Sequence, residues 1–529
     1  MATYEQGRDQ EYVDQLDGAI STFISRYNGN LSATNRRTLF LFPGGMGSQL
    51  DRARSLYTSP PPFYYDVAWL DCGIVFGNVT NLQMNGTVDY QQRYVVPDGC
   101  IEFVTLRPYD GFIQWCQNNS LDLFVFGWDW RRDIRETVRF FLDRFLPAFD
   151  ARVTGQCTPH PLDDFTLVGH SFGGMVVKLI LNEGSNAYVQ RMARAITAAS
   201  PFYGYGANVH RYFKGDPDLN WTLGPGGAAQ VTEVVSTLAS TYQLQFLDEA
   251  TYNANQTALA NDPEGYNLMS YPSMDAATVG LRADPYNPVP GQPGPGATGN
   301  VRYISNHKFD WNLLASALGV YQSVASPLTA TTAAKFYNIR GVQFKNGAAL
   351  NHTVVSQKWR LVPPTFDPDA DPDPFTDAFG PGDGTQPAWT TRLLGLPDGH
   401  VITVKGDIEH QTLMNESRVQ AKIAVLLGLP AKTVKHMRTR KTPATSRTEL
   451  NKFVARARAA IEKEESPEKR TEIIRKVLRQ YTPDQLHALL GRAYLDALKS
   501  PSQKTDKLVG TTRAPARRKR KGTSKSKRR

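Results

Sequence analysis

The residues best suited to covalent chemistry lie in the segment 169–173, G-H-S-F-G, which has the form G-x-S-x-G. An apolar run with strand character, residues 165–168, precedes it, and residues 175–181 are apolar enough to begin a buried helix. A serine on so tight a strand-to-helix turn is strained and has an exposed hydroxyl, and glycines two residues away avoid collisions with the neighbouring backbone. The segment therefore predicts that Ser171 is a nucleophile.

Two backbone amides are candidates for stabilising a negatively charged oxygen beside that hydroxyl. One is the amide of Phe172, the first of the predicted helix, which faces the space next to the serine. The other belongs to the loop after the buried strand 38–42, where the sequence P-G-G-M-G-S begins. In serine hydrolases of this order the second donor comes from the loop after an early strand, so we predict Gly45. A flexible glycine turn is the alternative interpretation of this loop.

A serine hydroxyl needs a base to take its proton, and the imidazole needs an acid that fixes its tautomer. Of the nine histidines, His410 follows the last predicted strand, 400–406, on a loop. The other histidines precede the candidate acid, begin a strand or lie beyond the closing helix at 419–427, and His170 is expected to point away from the hydroxyl. Asp383 is preferred over five nearby aspartates because its flanking glycines permit a tight, buried approach.

Buried strands alternate with helical segments, which favours a mostly parallel sheet covered on both faces. Reactive groups gather at the carboxyl ends of such strands, and the order Ser, Asp, His is that of the α/β-hydrolase fold. We predict an α/β-hydrolase domain at 36–430 with cap or lid insertions at about 51–120 and 207–330. Residues 1–35 are predicted to add a helix, 11–27, that packs on this core.

Five motifs follow one another along the chain. They are P-G-x-x-G-S-x-L at 43–50, W-D-W-R at 128–131, G-H-S-F-G at 169–173, G-D-G-T at 382–385, and His410. Together they resemble the lecithin:cholesterol acyltransferase family, which includes the lysosomal phospholipase and the phospholipid:diacylglycerol acyltransferases. The resemblance spans about residues 38–428. It implies Ser171 as nucleophile, Asp383 as acid and His410 as base, with the amides of Gly45 and Phe172 as oxyanion donors.

The resemblance also implies an acyl-enzyme, formed from a glycerophospholipid or similar ester, whose acyl group passes to water or to an alcohol. Trp69-Leu70 resembles a lid segment of that family near the active site, and we assign Met46 to the same substrate and lid region. Phe172 stands where the family usually has methionine, and Trp128 where it usually has tyrosine. Because the oxyanion donors are backbone amides, neither change affects the chemistry. The cysteines do not match the family's lid disulfide.

Composition excludes several other classes of protein. Of 529 residues, 41% are hydrophobic and 21% charged, as in a soluble globular protein. No apolar run approaches the roughly 20 residues of a membrane span, and residues 1–10 do not resemble a secretory signal. Four scattered cysteines suit neither a disulfide framework nor a zinc site, and prolines break up the alternating carboxylates of 367–373 that would suggest calcium. We expect a cytoplasmic protein with no metal and no cofactor.

The C-terminal part lies outside the resemblance. Residues 431–500 predict a small helical appendage, and residues 501–529 a disordered tail with twelve basic side chains and one acid. Because this tail accounts for the net charge of +10, the body is close to neutral. Without interleaved aromatic residues, the segment 514–529 does not suit specific nucleic-acid recognition. Peripheral attachment to an anionic membrane, non-specific nucleic-acid binding and solubilisation stay open.

Two functions compete at this stage. The first is a serine acylhydrolase or O-acyltransferase, similar to a phospholipase, that acts on lipid esters through an acyl-enzyme on Ser171. The alternative is a non-catalytic protein that uses an α/β-hydrolase scaffold to bind lipid or protein and is localised by its basic tail.

Overall fold

A computed structural model of the chain describes residues 4–29, 36–52, 67–69, 82–84, 95–101, 108–215, 228–244, 302–304, 307–359, 367, 370–373 and 375–429. The two predicted insertions are therefore described only in part. Leu70, the predicted helical appendage at 431–500 and the basic tail lie outside the described residues.

The strands of the described residues fall into one large sheet and three small ones. They are β1 (Thr38–Phe42), β2 (Ser48–Arg52), β3 (Val67–Trp69), β4 (Val95–Cys100), β5 (Asp122–Val125), β6 (Phe165–His170), β7 (Arg194–Ala198), β8 (Arg302–Ile304), β9 (His307–Phe309), β10 (Phe336–Lys345), β11 (Ala348–Ala349), β12 (Thr353–Trp359), β13 (Phe375–Gly380) and β14 (Val401–Gly406).

Helices of very different lengths connect these strands. They are α1 (Tyr4–Gly29), α2 (Asp110–Asn118), α3 (Ile134–Phe140), α4 (Leu146–Val153), α5 (Phe172–Asn182), α6 (Ala187–Arg191), α7 (Asn208–Lys214), α8 (Ala228–Val235), α9 (Ala239–Gln243), α10 (Trp311–Ala325), α11 (Ala330–Ala333) and α12 (Ser417–Leu426). A π-helical segment, Phe141–Phe145, joins α3 to α4, and a 3-10 turn, His410–Asn415, precedes α12.

The large sheet has the strand order β5-β1-β6-β7-β10-β14, and every neighbouring pair in that order is parallel. Among the described strands, the short β11 alone joins it antiparallel, by pairing with β10. The central strands are continuous apolar runs because parallel strands buried on both faces have no solvent side. In β1, for example, all five residues are buried.

Side chains of β1 alternate between two hydrophobic cores, one on each face of the sheet. Phe40 and Phe42 belong to the core beneath α1, α3 and α4, where the rings of Phe40 and Phe149 meet edge to face at 5.2 Å. Leu39 and Leu41 belong to the opposite core, which α2 and α12 cover. Helices therefore enclose a mostly parallel sheet, and the predicted α/β-hydrolase fold class is confirmed.

Helix α1 is longer than the apolar periodicity predicts. The pattern indicates residues 11–27, whereas the helix runs from Tyr4 to Gly29. Among the side chains of this helix whose burial is described, the buried ones run from Tyr12 to Tyr27. The first turns are polar, so they carry no hydrophobic period from which a helix could be recognised. Among the described residues, no helix combines the length and the apolar content that crossing a membrane requires.

Candidate active site

Ser171 occupies a strained turn between β6 and α5. Its backbone angles are φ 52° and ψ −127°, a region that non-glycine residues rarely adopt. The turn is held on both sides, since the Ser171 amide donates to the Ala198 carbonyl at 2.8 Å and the Ser171 carbonyl accepts from the Gly174 amide at 2.9 Å. Ser171 is half-buried at the carboxyl end of the sheet.

Close backbone packing explains the glycines around this turn. A Cβ atom on Gly169 would lie 2.6 Å from the Gly174 Cα, and one on Gly173 only 2.3 Å from the Phe42 carbonyl oxygen. Gly174, which the G-x-S-x-G pattern does not include, is equally constrained, because its Cβ would lie 1.7 Å from Ser200 Oγ. A Cβ at Gly169 would force apart the two sides of the elbow, and one at Gly173 or Gly174 would push α5 away from β1 or from the end of β7.

The side chains of Ser171, His410 and Asp383 meet in one hydrogen-bonded row. His410 Nε2 lies 2.8 Å from Ser171 Oγ, and His410 Nδ1 lies 2.7 Å from Asp383 Oδ2. Asp383 and His410 are 1% and 7% exposed. A carboxylate can only accept, so Nδ1 carries the proton and Nε2 is left to accept the serine proton. This is the geometry that general-base activation of a hydroxyl requires.

Asp383 reaches the site by a different route from a residue at the end of a central strand. It follows β13, which among the described strands pairs with β12 alone, in a two-stranded antiparallel sheet that lies along the chain after β10 and before β14. The acid loop then docks on β10 through the Gln343 amide, which donates to the Gly382 carbonyl at 2.7 Å. A Cβ on Gly382 would lie 2.4 Å from the Gln386 carbonyl oxygen, so this flanking glycine permits the close approach.

Backbone amides hold the second carboxylate oxygen of Asp383. Oδ1 accepts from the Gln386 amide at 2.6 Å and from the Thr385 amide at 3.1 Å. Since Oδ2 faces the imidazole, both oxygens of the buried carboxylate have partners. Such fixed partners keep the carboxylate aimed at His410.

The loop after β1 packs directly against the elbow. A Cβ on Gly44 would lie 3.0 Å from Ser171 Cβ, and one on Gly45 would lie 3.6 Å from Phe172 Cβ. Within the part of the chain that the structure describes, the amides of Gly45 and Phe172 make no hydrogen bond. Two amides without partners beside the Ser171 hydroxyl have the arrangement that an oxyanion would require.

Three aromatic side chains hold this loop. The Trp69 indole N–H donates to the Met46 carbonyl at 2.9 Å, and the Trp128 indole N–H donates to the Pro43 carbonyl at 2.9 Å. Met46 itself is half-buried with φ 61°, and the Tyr109 hydroxyl accepts from the Gly44 amide at 2.6 Å. Trp69 is only 3% exposed, and its hydrogen bond holds the loop at Met46.

The W-D-W-R motif at 128–131 contributes to the same support of the loop after β1. Trp128 ties the motif to the loop, and Asp129 forms a buried ion pair with Arg131, whose Nε lies 2.9 Å from Asp129 Oδ1. Trp130 packs edge to face against Trp69 at 5.2 Å between ring centroids. The motif therefore supports the loop that carries Gly45.

His170 and Tyr109 were not predicted as site residues. The imidazole of His170 makes no hydrogen bond to Ser171 Oγ within the described residues, as expected, but lies 3.0 Å from the Tyr109 hydroxyl through Nδ1 and 3.0 Å from the His410 carbonyl oxygen through Nε2. Burial lowers the pKa of His170 well below its ordinary value, and the nearby His410 ring lowers it further. Burial likewise raises the pKa of Tyr109, so both groups are neutral at neutral pH. No sequence pattern links residues so far apart in the chain.

The described residues contain no cluster of three or more His, Cys, Asp or Glu side chains arranged to hold a metal ion. Asp373, in the run of alternating carboxylates, instead lies 3.5 Å from the Lys214 ammonium.

The fold and the site define a chain of the α/β-hydrolase class with a serine at the nucleophile elbow. No protein-family model matches the chain, and no curated protein matches it. Solved structures that are similar to it include the following two. The Tle4–Tli4 complex contains a chain with 15% identity and a TM-score of 0.44, with 75% of this chain and 98% of that chain covered. The lipase BlEst2 of Bacillus licheniformis in its mature form has 10% identity and a TM-score of 0.31, with 74% and 93% covered. At these levels of similarity neither comparison defines an activity.

Proposed function

We propose that this protein is a serine-dependent acylhydrolase or O-acyltransferase of lipid esters. The observation that carries the proposal is the 2.8 Å contact between Ser171 Oγ and His410 Nε2, with Asp383 2.7 Å behind the imidazole. The strained backbone of the half-buried Ser171 costs free energy of folding. A protein that only binds gains nothing from that strain or from a buried imidazole bonded to the serine hydroxyl.

The first half of the reaction forms an acyl-enzyme. As Ser171 Oγ attacks the ester carbonyl carbon, His410 Nε2 takes the hydroxyl proton and Asp383 stabilises the resulting imidazolium. The amides of Gly45 and Phe172 donate to the oxyanion of the tetrahedral intermediate. The intermediate collapses by breaking the bond to the leaving alcohol, which receives the proton from His410.

The second half releases the acyl group. Water or an acceptor alcohol gives its proton to His410 and attacks the acyl carbonyl. A second tetrahedral intermediate then breaks the bond to Ser171 Oγ, and His410 returns a proton to that oxygen. With water as acceptor the protein acts as a hydrolase, and with an alcohol it acts as a transferase. The roles of Ser171, His410 and Asp383 are the same in both cases.

The lipid substrate rests on the resemblance to the lecithin:cholesterol acyltransferase family. Two of the segments that carry the resemblance, 43–50 and 128–131, contact each other, because the Trp128 indole donates to the Pro43 carbonyl and the Trp128 amide donates to Ser48 Oγ at 3.1 Å. They support the loop beside the serine of a third segment, 169–173. Packing of these motifs around one site favours a shared chemistry over a chance match of short patterns.

The decisive experiment combines covalent labelling with product analysis. A fluorophosphonate probe should label the wild-type protein and the Ser185→Ala variant, which changes an exposed serine, but not Ser171→Ala. Wild-type protein should release fatty acid from mixed phospholipid vesicles, or acylate added diacylglycerol or sterol, and Ser171→Ala should do neither. Wild-type protein that is folded yet neither labels nor turns over would overturn the proposal in favour of a non-catalytic binding protein.

We further propose that the basic segment 514–529 holds the protein at an anionic membrane surface. At about 1 kcal/mol per basic residue near such a surface, its charge suffices for salt-sensitive attachment. Sedimentation with vesicles rich in phosphatidylserine should exceed that with neutral vesicles and should be lost when the chain is truncated after residue 513. Equal sedimentation of the full and truncated chains would contradict this role.

A further inference from the structure

An unbroken row of hydrogen bonds joins the loop after β1 that carries Gly44 and Gly45, here called the oxyanion loop, to the backbone of His410. The Gly44 amide lies 2.6 Å from the Tyr109 hydroxyl, which lies 3.0 Å from His170 Nδ1. His170 Nε2 lies 3.0 Å from the backbone carbonyl oxygen of His410. The sequence separations within this row are 65, 61 and 240 residues.

Chemistry determines the direction of each bond. The His410 carbonyl can only accept, so His170 Nε2 carries the proton and donates. Nδ1 of a neutral imidazole then accepts, which means that the Tyr109 hydroxyl donates to it. The hydroxyl oxygen in turn accepts from the Gly44 amide. One tautomer of a neutral His170 therefore satisfies every group, whereas protonation of Nδ1 would take away the acceptor of the Tyr109 hydroxyl proton.

The surroundings of His170 favour this neutral form. Its side chain is 3% exposed, and the titratable groups that face it are the Tyr109 hydroxyl and the His410 imidazole, whose ring centroid is 4.9 Å away. Neither offers a negative charge that would stabilise an imidazolium at neutral pH. When His410 becomes positively charged during acyl transfer, a neutral neighbour also avoids repulsion between two cations.

We propose that Tyr109 and His170 are positioning residues. They fix the oxyanion loop relative to the segment after β14 that carries His410, and so keep both in place around Ser171. The inference rests on the proposed function, because it concerns the same acyl transfer. Neither side chain makes a hydrogen bond to Ser171 Oγ within the described residues, so both act through the backbone of Gly44 and His410. Misplacing a reacting group by about 1 Å can lower the rate about 100-fold. Losing these hydrogen bonds is therefore expected to slow acyl transfer even though neither side chain contacts the reacting atoms.

The first test compares Tyr109→Phe with Tyr242→Phe. Tyr242 is a matched control, since its buried hydroxyl also accepts from a backbone amide, that of Asp310 at 2.8 Å, and donates to a carbonyl, that of Ser236 at 2.7 Å. Tyr109→Phe should lower kcat for a short acyl ester by about 10- to 100-fold with little change in KM. Tyr242→Phe should lower only the stability.

The second test uses two replacements of His170. In His170→Gln the amide nitrogen can occupy the place of Nε2 and keep the bond to the His410 carbonyl, whereas His170→Ala loses it. We expect His170→Gln to retain at least tenfold more kcat than His170→Ala. The double variant Tyr109→Phe with His170→Ala should be no slower than His170→Ala alone. The two substitutions break the same row of hydrogen bonds, so their effects on kcat should not add.

Nitrogen-15 NMR of labelled histidines provides a readout independent of activity. His170 should show a protonated Nε2 and an unprotonated Nδ1, and Tyr109→Phe should shift the Nδ1 resonance while Tyr242→Phe does not. A protonated Nδ1, or equal kcat in Tyr109→Phe and Tyr242→Phe within an active protein, would overturn the positioning role of Tyr109 and His170 and leave the proposed function intact. Absence of both labelling and turnover in the wild-type protein would instead overturn the proposed function, and the positioning role with it.

Discussion

Asp383 and His410 are joined twice, once through their side chains and once through their backbones. The carboxylate Oδ2 lies 2.7 Å from His410 Nδ1, and the His410 amide donates to the Asp383 carbonyl at 3.0 Å. The two loops are therefore held together even when the side-chain contact is changed. Because the backbone bond does not involve the carboxylate, a side-chain substitution at Asp383 can test its chemical role without separating the two loops.

Replacing Asp383 by asparagine should lower kcat strongly while the protein stays folded. The amide oxygen can still accept from the Thr385 and Gln386 amides, but its NH2 group would face His410 Nδ1 and favour the wrong tautomer. We expect a loss on the order of 10⁴-fold, measured with a short acyl ester. Asp398→Asn, at an exposed position, is the control and should leave kcat unchanged. A loss of less than tenfold in Asp383→Asn would assign the acid to another residue.

Replacing Gly173 by alanine should destabilise the fold, because the new Cβ would lie 2.3 Å from the Phe42 carbonyl oxygen. We expect the free energy of unfolding to fall by about 3 kcal/mol or more. Gly18→Ala is the matched control, since Gly18 is exposed within α1 and, apart from its chain neighbours and the backbone of its own helix, no described atom lies within 4 Å of its Cβ position. That change should raise stability by about 1 kcal/mol. Urea unfolding measures both, and equal stabilities would contradict the packing described for the elbow.

Replacing Trp69 by phenylalanine removes the donor to the Met46 carbonyl and should loosen the loop that carries Gly45. We expect kcat to fall by about tenfold, with the stability loss of any buried indole. Trp115→Phe is the comparison, because Trp115 is also buried but its indole nitrogen has no hydrogen-bond partner among the described residues. Esterase assays and urea unfolding on the two variants separate the effects. A kcat loss as large in Trp115→Phe would show that the hydrogen bond is not responsible.

The lowered pKa of His170 makes a specific prediction for stability against pH. The folded protein keeps His170 neutral well below the ordinary value of about 6.5, whereas the unfolded chain binds a proton there. Because the unfolded state then binds more protons, the stability of the fold falls as pH falls below about 6.5, by at most about 1.4 kcal/mol per pH unit for this group. His170→Gln should lack this contribution, so urea unfolding at pH 7.5 and pH 5 should show a smaller decrease for the variant. An equal decrease in both proteins would mean that His170 titrates normally.

The local features of the site could be predicted from the sequence. The strand Thr38–Phe42, the elbow between β6 and α5, and the helix after it follow from apolar runs interrupted by glycine. Short-range sterics and hydrophobic period are properties of neighbouring residues, so they are visible in the chain itself. The same patterns predicted Ser171, and the glycines and chain order pointed to Asp383 and His410.

The connections between distant segments came only from the tertiary structure. That Asp383 follows one of two paired antiparallel strands, that the buried Trp69 bonds to the loop after β1, and that the Tyr109 hydroxyl meets His170 all depend on how separate segments pack. Hydrogen bonds between residues 61 or 240 positions apart leave no periodic signal in a single sequence. They exist because a buried donor or acceptor must find its partner wherever the folded chain brings one.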